Sequence, residues 1–170
     1  TIPVLMASIG KDLVKAESFD AAIEQFNKTI EVAESYGNAE VVEETKALIP
    51  QVLMSKAGDM LNAKNFAGAA ETYQQVVAAD TTNGMAALRL GMALGALGKN
   101  AEAENAYLLA ARNGQEKQAN KQLSNLYIKK ASAALKAKKT QEAYDFAVKS
   151  NEYLENANAY KLAASAAQKL

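Results

Sequence analysis

Apolar residues recur along the chain every three to four positions, the spacing of one face of an α-helix. Val4, Ile9, Leu13 and Val14 mark a first helix within residues 3–16. Ala22, Ile23, Phe26, Ile30 and Val32 or Ala33 mark a second, Phe19 to Ser35, with Ser18 as its N-cap. From Ala39 to Ala63 the pattern runs long, with Pro50 in its middle. Apolar spacing continues on both sides of Pro50, so one long helix kinked there is predicted rather than two. Further helices are predicted from Asn65 or Phe66 to about Ala79, from Met85 to Leu97 with Gly98 as the stop, and from an Asn100 cap to Arg112. Three more follow: Gln115 to about Lys138, a Thr140 cap to Glu155, and about Ala157 to Lys169. The breaks are Gly37-Asn38, the cluster from Asp80 to Gly84, and Asn113-Gly114. No stretch alternates with period two, so no strand is predicted and the fold class is all-α.

The helices also repeat. Ala57, Met60, Phe66, Ala69 and Tyr73 each lie 34 positions before Gly91, Leu94, Asn100, Ala103 and Tyr107 (103 − 69 = 34). A fixed period of a few tens of residues signals stacked supersecondary units. Gly or Ala on the first helix of each unit lets its partner helix approach closely. Ala22, Ala69, Ala103 and Ala143 do the same from the second helix, and Phe26, Tyr73 and Tyr107 fill the gap to the next unit.

These residues resemble the tetratricopeptide repeat (TPR), which places a large residue, Leu-Gly and Tyr on one helix and Ala followed by an aromatic on the next. The clearest copy runs Ala87, Leu90, Gly91, Leu94, Gly98, Ala103, Tyr107. Others run Met6, Ile9, Gly10, Leu13, Phe19, Ala22, Phe26, then Leu53, Ala57, Met60, Phe66, Ala69, Tyr73, and more weakly Tyr127, Ala131, Ala134, Ala143, Ala147. Tyr160, Ala163, Ala164 and Ala167 look like the first helix of a fifth. The resemblance implies an α-α superhelix, a TPR-like solenoid in one domain spanning 1–170. It would have about four helical hairpins (3–36, 50–83, 84–117, 124–157), extra helical segments at 37–49 and 115–123, and a capping helix at 157–169. Two departures make that superhelix irregular. The spacing stretches to 47 between Ala22 and Ala69 (69 − 22) and to 40 between Ala103 and Ala143 (143 − 103). Glu34, Thr81 and Gln115 stand where the family's closing proline would be.

Composition narrows function by what it removes. Lys+Arg and Asp+Glu are equal at 19 each, so no net field draws in nucleic acid or a membrane surface. No apolar run is long enough to span a bilayer. With no cysteine and no histidine, the chain lacks thiolate chemistry, the commonest general base and the commonest transition-metal ligand. No cofactor is expected. Absent cysteine and a start at Thr1 rather than Met lean toward an exported protein.

Local motifs add little chemistry. Ser8-x-x-Lys11 matches a serine–lysine nucleophile motif but lacks its partner motifs. The stretch from Gly95 to Asn100 fails the spacing, hydroxyl and strand that a phosphate loop needs. Gly91-x3-Gly95 reads as close soluble packing. Glu40, Glu43 and Glu44 suit the N-terminal end of a helix dipole. Lys129, Lys130, Lys136, Lys138 and Lys139 form a basic region with only Tyr127 near, which reads as solvated surface rather than a nucleic-acid site.

The TPR resemblance implies that the first helices line an inner surface that holds a peptide. The matching groove positions are Lys11, Met54, Met85, Leu88, Arg89, Met92 and Ile128. The family's two-lysine, two-asparagine clamp is not reproduced, since no asparagine matches. What remains is apolar and rich in methionine, a surface that adapts to varied apolar partners. The expected function is a non-catalytic interaction scaffold or adaptor with a protein or peptide partner, without nucleic acid or membrane insertion. The alternative is a regulatory or substrate-positioning module of a larger enzyme.

Overall fold

A computed structural model describes every residue from Thr1 to Leu170. The protein is all-helical: α1 (Ile2–Lys15), α2 (Phe19–Ser35), α3 (Ala39–Asn62), α4 (Phe66–Ala79), α5 (Gly84–Ala96), α6 (Asn100–Ala110), α7 (Glu116–Lys136), α8 (Thr140–Tyr153) and α9 (Ala157–Ala167). Its contacts divide it into two compact units, Thr1–Val76 and Val77–Leu170.

One turn recurs in all four hairpins. Glu17, Lys64, Gly98 and Lys138 each lie seven positions after Gly10, Ala57, Gly91 and Ala131 (98 − 91 = 7), and all have positive φ, between 56° and 77°. Only Gly98 takes this left-handed conformation without a Cβ penalty. The turn also decides where each second helix begins, because the residue after the left-handed stop is the N-cap. Lys99 and Lys139 therefore precede α6 and α8, and the expected caps Asn100 and Thr140 are already inside those helices. Asn65 does cap α4, accepting from the Gly68 N–H at 3.1 Å. Ser18 sits at the cap of α2 but makes no side-chain bond there. The helix predicted to reach Arg112 instead ends at Ala110, and the chain turns through Asn113 and Gly114 (φ 88°) into α7.

In the first unit, α3 runs unbroken from Ala39 to Asn62 with Pro50 inside it. Ala22, Phe26 and Val52 form a core among α1, α2 and α3, with Leu13, Val14, Ile23 and Leu48 packed around it. Gly10 makes this possible, since a Cβ there would collide with the Phe26 ring. Ala33, Val41 and Val42 close the α2–α3 corner. On α4, Ala69 and Tyr73 are completely buried, and the Thr72 hydroxyl reaches the Met60 sulfur at 3.7 Å.

The second unit repeats the device. A Cβ on Gly91 of α5 would lie 2.5 Å from a ring carbon of Tyr107 on α6. Between α7 and α8, buried Ser124 and Ser150 bond each other at 2.9 Å, so neither hydroxyl is left unsatisfied.

A polar network joins α6 to α7. Tyr127 donates to one oxygen of Glu104, and Lys130 donates to the other at 2.8 Å. Lys130 and Lys149 also lie over the Tyr127 ring, 4.5 and 5.0 Å from its centre. Burial pushes the Glu104 carboxyl up, but the bonds from Lys130 and Tyr127 and the nearby lysine charges outweigh it, and its pKa falls below the ordinary glutamate value. A carboxylate depressed in the folded state stabilises above its unfolded pKa of about 4.3, and that stability is lost as pH falls through the folded value. Glu104→Gln is therefore expected to lower the melting temperature at pH 7, with the gap to wild type closing as pH drops toward 3. Thermal melts across that range test it, and a gap independent of pH would show that the pair contributes nothing through its charge.

Helix α9 packs on α8 and α7, but not through the expected face. Ala159 and Ala166 are the buried residues, while Tyr160 is 54% exposed and Ala164 and Ala167 face solvent. Leu154 and Asn156 are extended where the chain enters α9, and the buried Ala159 and Ala166 each lie one residue before the expected Tyr160 and Ala167. A one-residue offset rotates a helix by about 100°, enough to exchange one face for the next.

Candidate functional site

Each unit carries a groove between the first helices of successive hairpins, floored by an aromatic ring from the second helix of the earlier one. In the first unit the groove encloses about 370 Å³. Lys11, Val14 and Lys15 of α1 form one wall, and Leu48, Gln51, Val52 and Ser55 of α3 form the other. Phe26 is the floor, held against α1 by the missing side chain of Gly10. Gln51 donates to the Ala47 carbonyl at 3.3 Å and Ser55 to the Gln51 carbonyl at 3.2 Å. Lys15 meets Asp12 at 3.3 Å in an open pair of the kind worth little. Within its unit, Lys11 pairs with no carboxylate.

In the second unit the groove encloses about 260 Å³. Met92, Gly95 and Ala96 of α5 face Gln122, Asn125, Leu126 and Lys129 of α7, with Asn100 and Tyr107 of α6 between them. Gly95 leaves room beside the Tyr107 hydroxyl, which would lie 3.6 Å from a Cβ there. Burial pushes the Tyr107 phenol up to about 12, so it stays protonated and can donate. Lys129 is exposed and, within its unit, unpaired. No Asp or Glu lines either groove.

The structure sorts the expected groove residues unevenly. Lys11 lines the first groove and Met92, 40% exposed, lines the second. Met54, Met85, Arg89 and Ile128 are half-buried and line neither. Leu88 is corrected outright: at 4% exposure it is a packing residue of α5 and presents no surface. The residues missed were the polar wall of each groove, Gln51 and Ser55 in one, Gln122 and Asn125 in the other. Attention to methionine hid them, although Gln51 and Asn125 occupy the same place before Ala57 and Ala131 (57 − 51 = 131 − 125 = 6).

The basic region also divides. Lys130 is committed to Glu104, Lys139 meets Glu142 at 3.6 Å, and Lys129 lines the second groove unpaired. A third cavity of about 300 Å³ lies against α7 and α8, and those two paired lysines line it. Glu40, Glu43 and Glu44 are exposed on α3 and form no cluster suited to a metal ion.

No protein-family model matches the chain, and no curated protein matches it. Solved structures do. An inferred protein-binding protein from Bacteroides ovatus ATCC 8483 matches with a TM-score of 0.50 at 15% identity, over 98% of this chain and 87% of its own. The fold is TPR-like: an all-α run of helical hairpins with small-against-aromatic contacts inside them. The first TPR of Spaghetti (RPAP3), bound to an HSP90 peptide, matches at TM-score 0.45 and 21% identity, covering 71% of this chain and 91% of that one. MamA AMB-1 matches at TM-score 0.44 and 19% identity, covering 91% and 93%. At these identities the likeness extends to the fold alone, and the TPR-like chain's function is argued from its grooves.

Proposed function

We propose that the protein is a non-catalytic interaction module that holds a protein or peptide segment in grooves formed by the first helices of its hairpins. One observation carries this reading: each groove joins exposed or half-buried apolar wall residues (Val14 and Leu48 in one, Met92 in the other) to a lysine with no carboxylate partner in its unit, and no acid lines it. A cleft of that make-up suits an apolar side chain with a negative group beside it. Neither wall supplies a nucleophile–base pair or a set of metal ligands, so the chemistry on offer is recognition.

The test uses exposed residues, because Leu88→Ser would unfold α5 before it probed a surface. Met92→Ser combined with Lys129→Glu is expected to abolish binding of array peptides selected by the wild-type protein for the second groove, with the melting temperature nearly unchanged. Retention of every selected peptide by the folded double variant would place binding elsewhere.

A further inference from the structure

The first and last helices each turn an apolar stripe to solvent. On α1, Ile2, Leu5 and Ile9 share one side at helical spacing, 53–66% exposed and turned away from the buried Pro3, Ala7 and Gly10. On α9, exposed Tyr160, Ala164 and Ala167 form a second stripe. Repeat folds ordinarily finish in units whose outer face is polar. These two helices do not, and neither stripe lines a groove.

The repeat register shows what kind of element the α1 stripe fits. Ile9 corresponds to Lys56 of α3 (56 − 9 = 47) and to Lys130 of α7 (130 − 9 = 121), the offsets that separate Gly10 from Ala57 and Ala131. Lys56 meets Asp20 of α2 at 2.5 Å, and Lys130 meets Glu104 of α6 at 2.8 Å. In both cases the second helix of the preceding hairpin lies along this face. Leu5 corresponds likewise to Val52 and Leu126, which are buried, Val52 in a core with Ala22 and Phe26 of α2. The α1 stripe is therefore a helix-docking face, with isoleucine where the covered helices carry a paired lysine. An acid brought against Ile9 would be desolvated without a partner, so the fitting cover is a helix with an apolar stripe.

Charge selects that helix. The unit Thr1–Val76 holds 6 Lys+Arg and 11 Asp+Glu (6 − 11 = −5), and Val77–Leu170 holds 13 and 8 (13 − 8 = +5). The neutral total hides this division. Two α1 stripes face to face would bring two acidic units together, and two α9 stripes would bring two basic ones. Only α1 against α9 joins opposite charges. The α9 stripe also brings no acid, since Lys161 and Lys169 are the only charged side chains between Ala157 and Leu170.

We propose that this protein self-associates head to tail, with α9 of one copy covering the Ile2, Leu5 and Ile9 face of α1 on the next. Tyr160 packs among the three aliphatic side chains, and Ala164 and Ala167 let the helices approach closely. Lys161 and Lys169 meet the excess acid of the first unit. The contact joins unlike faces, so copies add into rings or open chains. It uses none of the groove residues and stands apart from the reading above.

The test is sedimentation velocity on the full chain. Wild type is expected to gain mass as concentration rises at low salt, and to return toward monomer as salt screens the attraction. Leu5→Glu with Ile9→Glu removes the α1 face, and Tyr160→Glu with Ala164→Glu removes the α9 face. All four residues are exposed, and thermal melts check that each variant keeps the fold. Each variant alone is expected to stay monomeric. Mixed, the two are expected to form a species of twice the monomer mass, because each supplies the face the other lacks. If a glutamate pair melts early, Leu5→Ser with Ile9→Ser and Tyr160→Ser replace it, and the same mixing experiment decides. A mixture that stays monomeric would overturn the proposal, as would a wild type that is monomeric at every concentration. Self-association of the α9 variant alone would reveal a symmetric α1 contact and overturn the head-to-tail arrangement. Association that does not weaken with salt would overturn the part assigned to charge.

Discussion

Tyr73→Ala is expected to cost about 3–5 kcal/mol, the range for emptying an aromatic site in a core. Tyr73 heads the fully buried side chains of the protein and is 0% exposed. Against a typical total of about 5–15 kcal/mol this approaches unfolding. In a chain of this length it corresponds to a fall in melting temperature of roughly 6–20 °C. The hydroxyl separates two effects. It is buried without a hydrogen-bond partner, and such a group costs about 1–3 kcal/mol when desolvated. Tyr73→Phe should therefore be neutral or stabilising while Tyr73→Ala is ruinous. Denaturant titrations with unchanged slope would measure both. A clear loss in the Phe variant would mean that the hydroxyl is hydrogen-bonded after all.

Gly91→Leu is expected to cost about 1–3 kcal/mol or more, the range for forcing extra volume into a packed interface. Even a lone Cβ at this position would stand 2.5, 2.6 and 3.0 Å from three ring carbons of Tyr107. Tyr107 is 5% exposed and packed between α5 and α6, so a Cβ at Gly91 displaces the ring from its packed position. Ala103→Leu on α6, itself 0% exposed and set against Gly95, should behave alike. The steric cause has its own signature. Tyr107→Leu is destabilising alone, but in a Gly91→Ala background it should recover part of the loss, because the smaller side chain vacates the contested space. A double-mutant cycle reads this as a favourable coupling. Strict additivity would mean that the glycine is there for some reason other than the ring.

These two sites show what could be read in one dimension. Helix positions and the 34-residue period are properties of local spacing, as is the presence of small residues where helices touch. The aromatics expected to fill the gap to the next unit prove instead to pack on the glycine of their own hairpin, Phe26 on Gly10 and Tyr107 on Gly91. A helix carries its apolar face in its own sequence, and a position that admits only glycine or alanine declares a close neighbour before that neighbour is known. The continuity of α3 through Pro50 was legible for the same reason, since its apolar face continues on both sides.

Exposure was not legible, because it depends on which other helix arrives. Leu88 and Met92 are four apart on one helix and look alike as apolar groove positions, yet Leu88 is 4% exposed and Met92 40%. Lys129 and Lys130 are adjacent, and only the approach of α6 with Glu104 commits one and leaves the other for a groove. The buried face of α9 was set by its packing on α8 and α7, which its own periodicity does not report. Sequence alone determined the helices, their repeat and the residues that let them touch, because each follows from spacing along one chain. Tertiary structure alone decided which side chains of three separate helices meet as a groove, because that depends on distances between residues far apart in sequence.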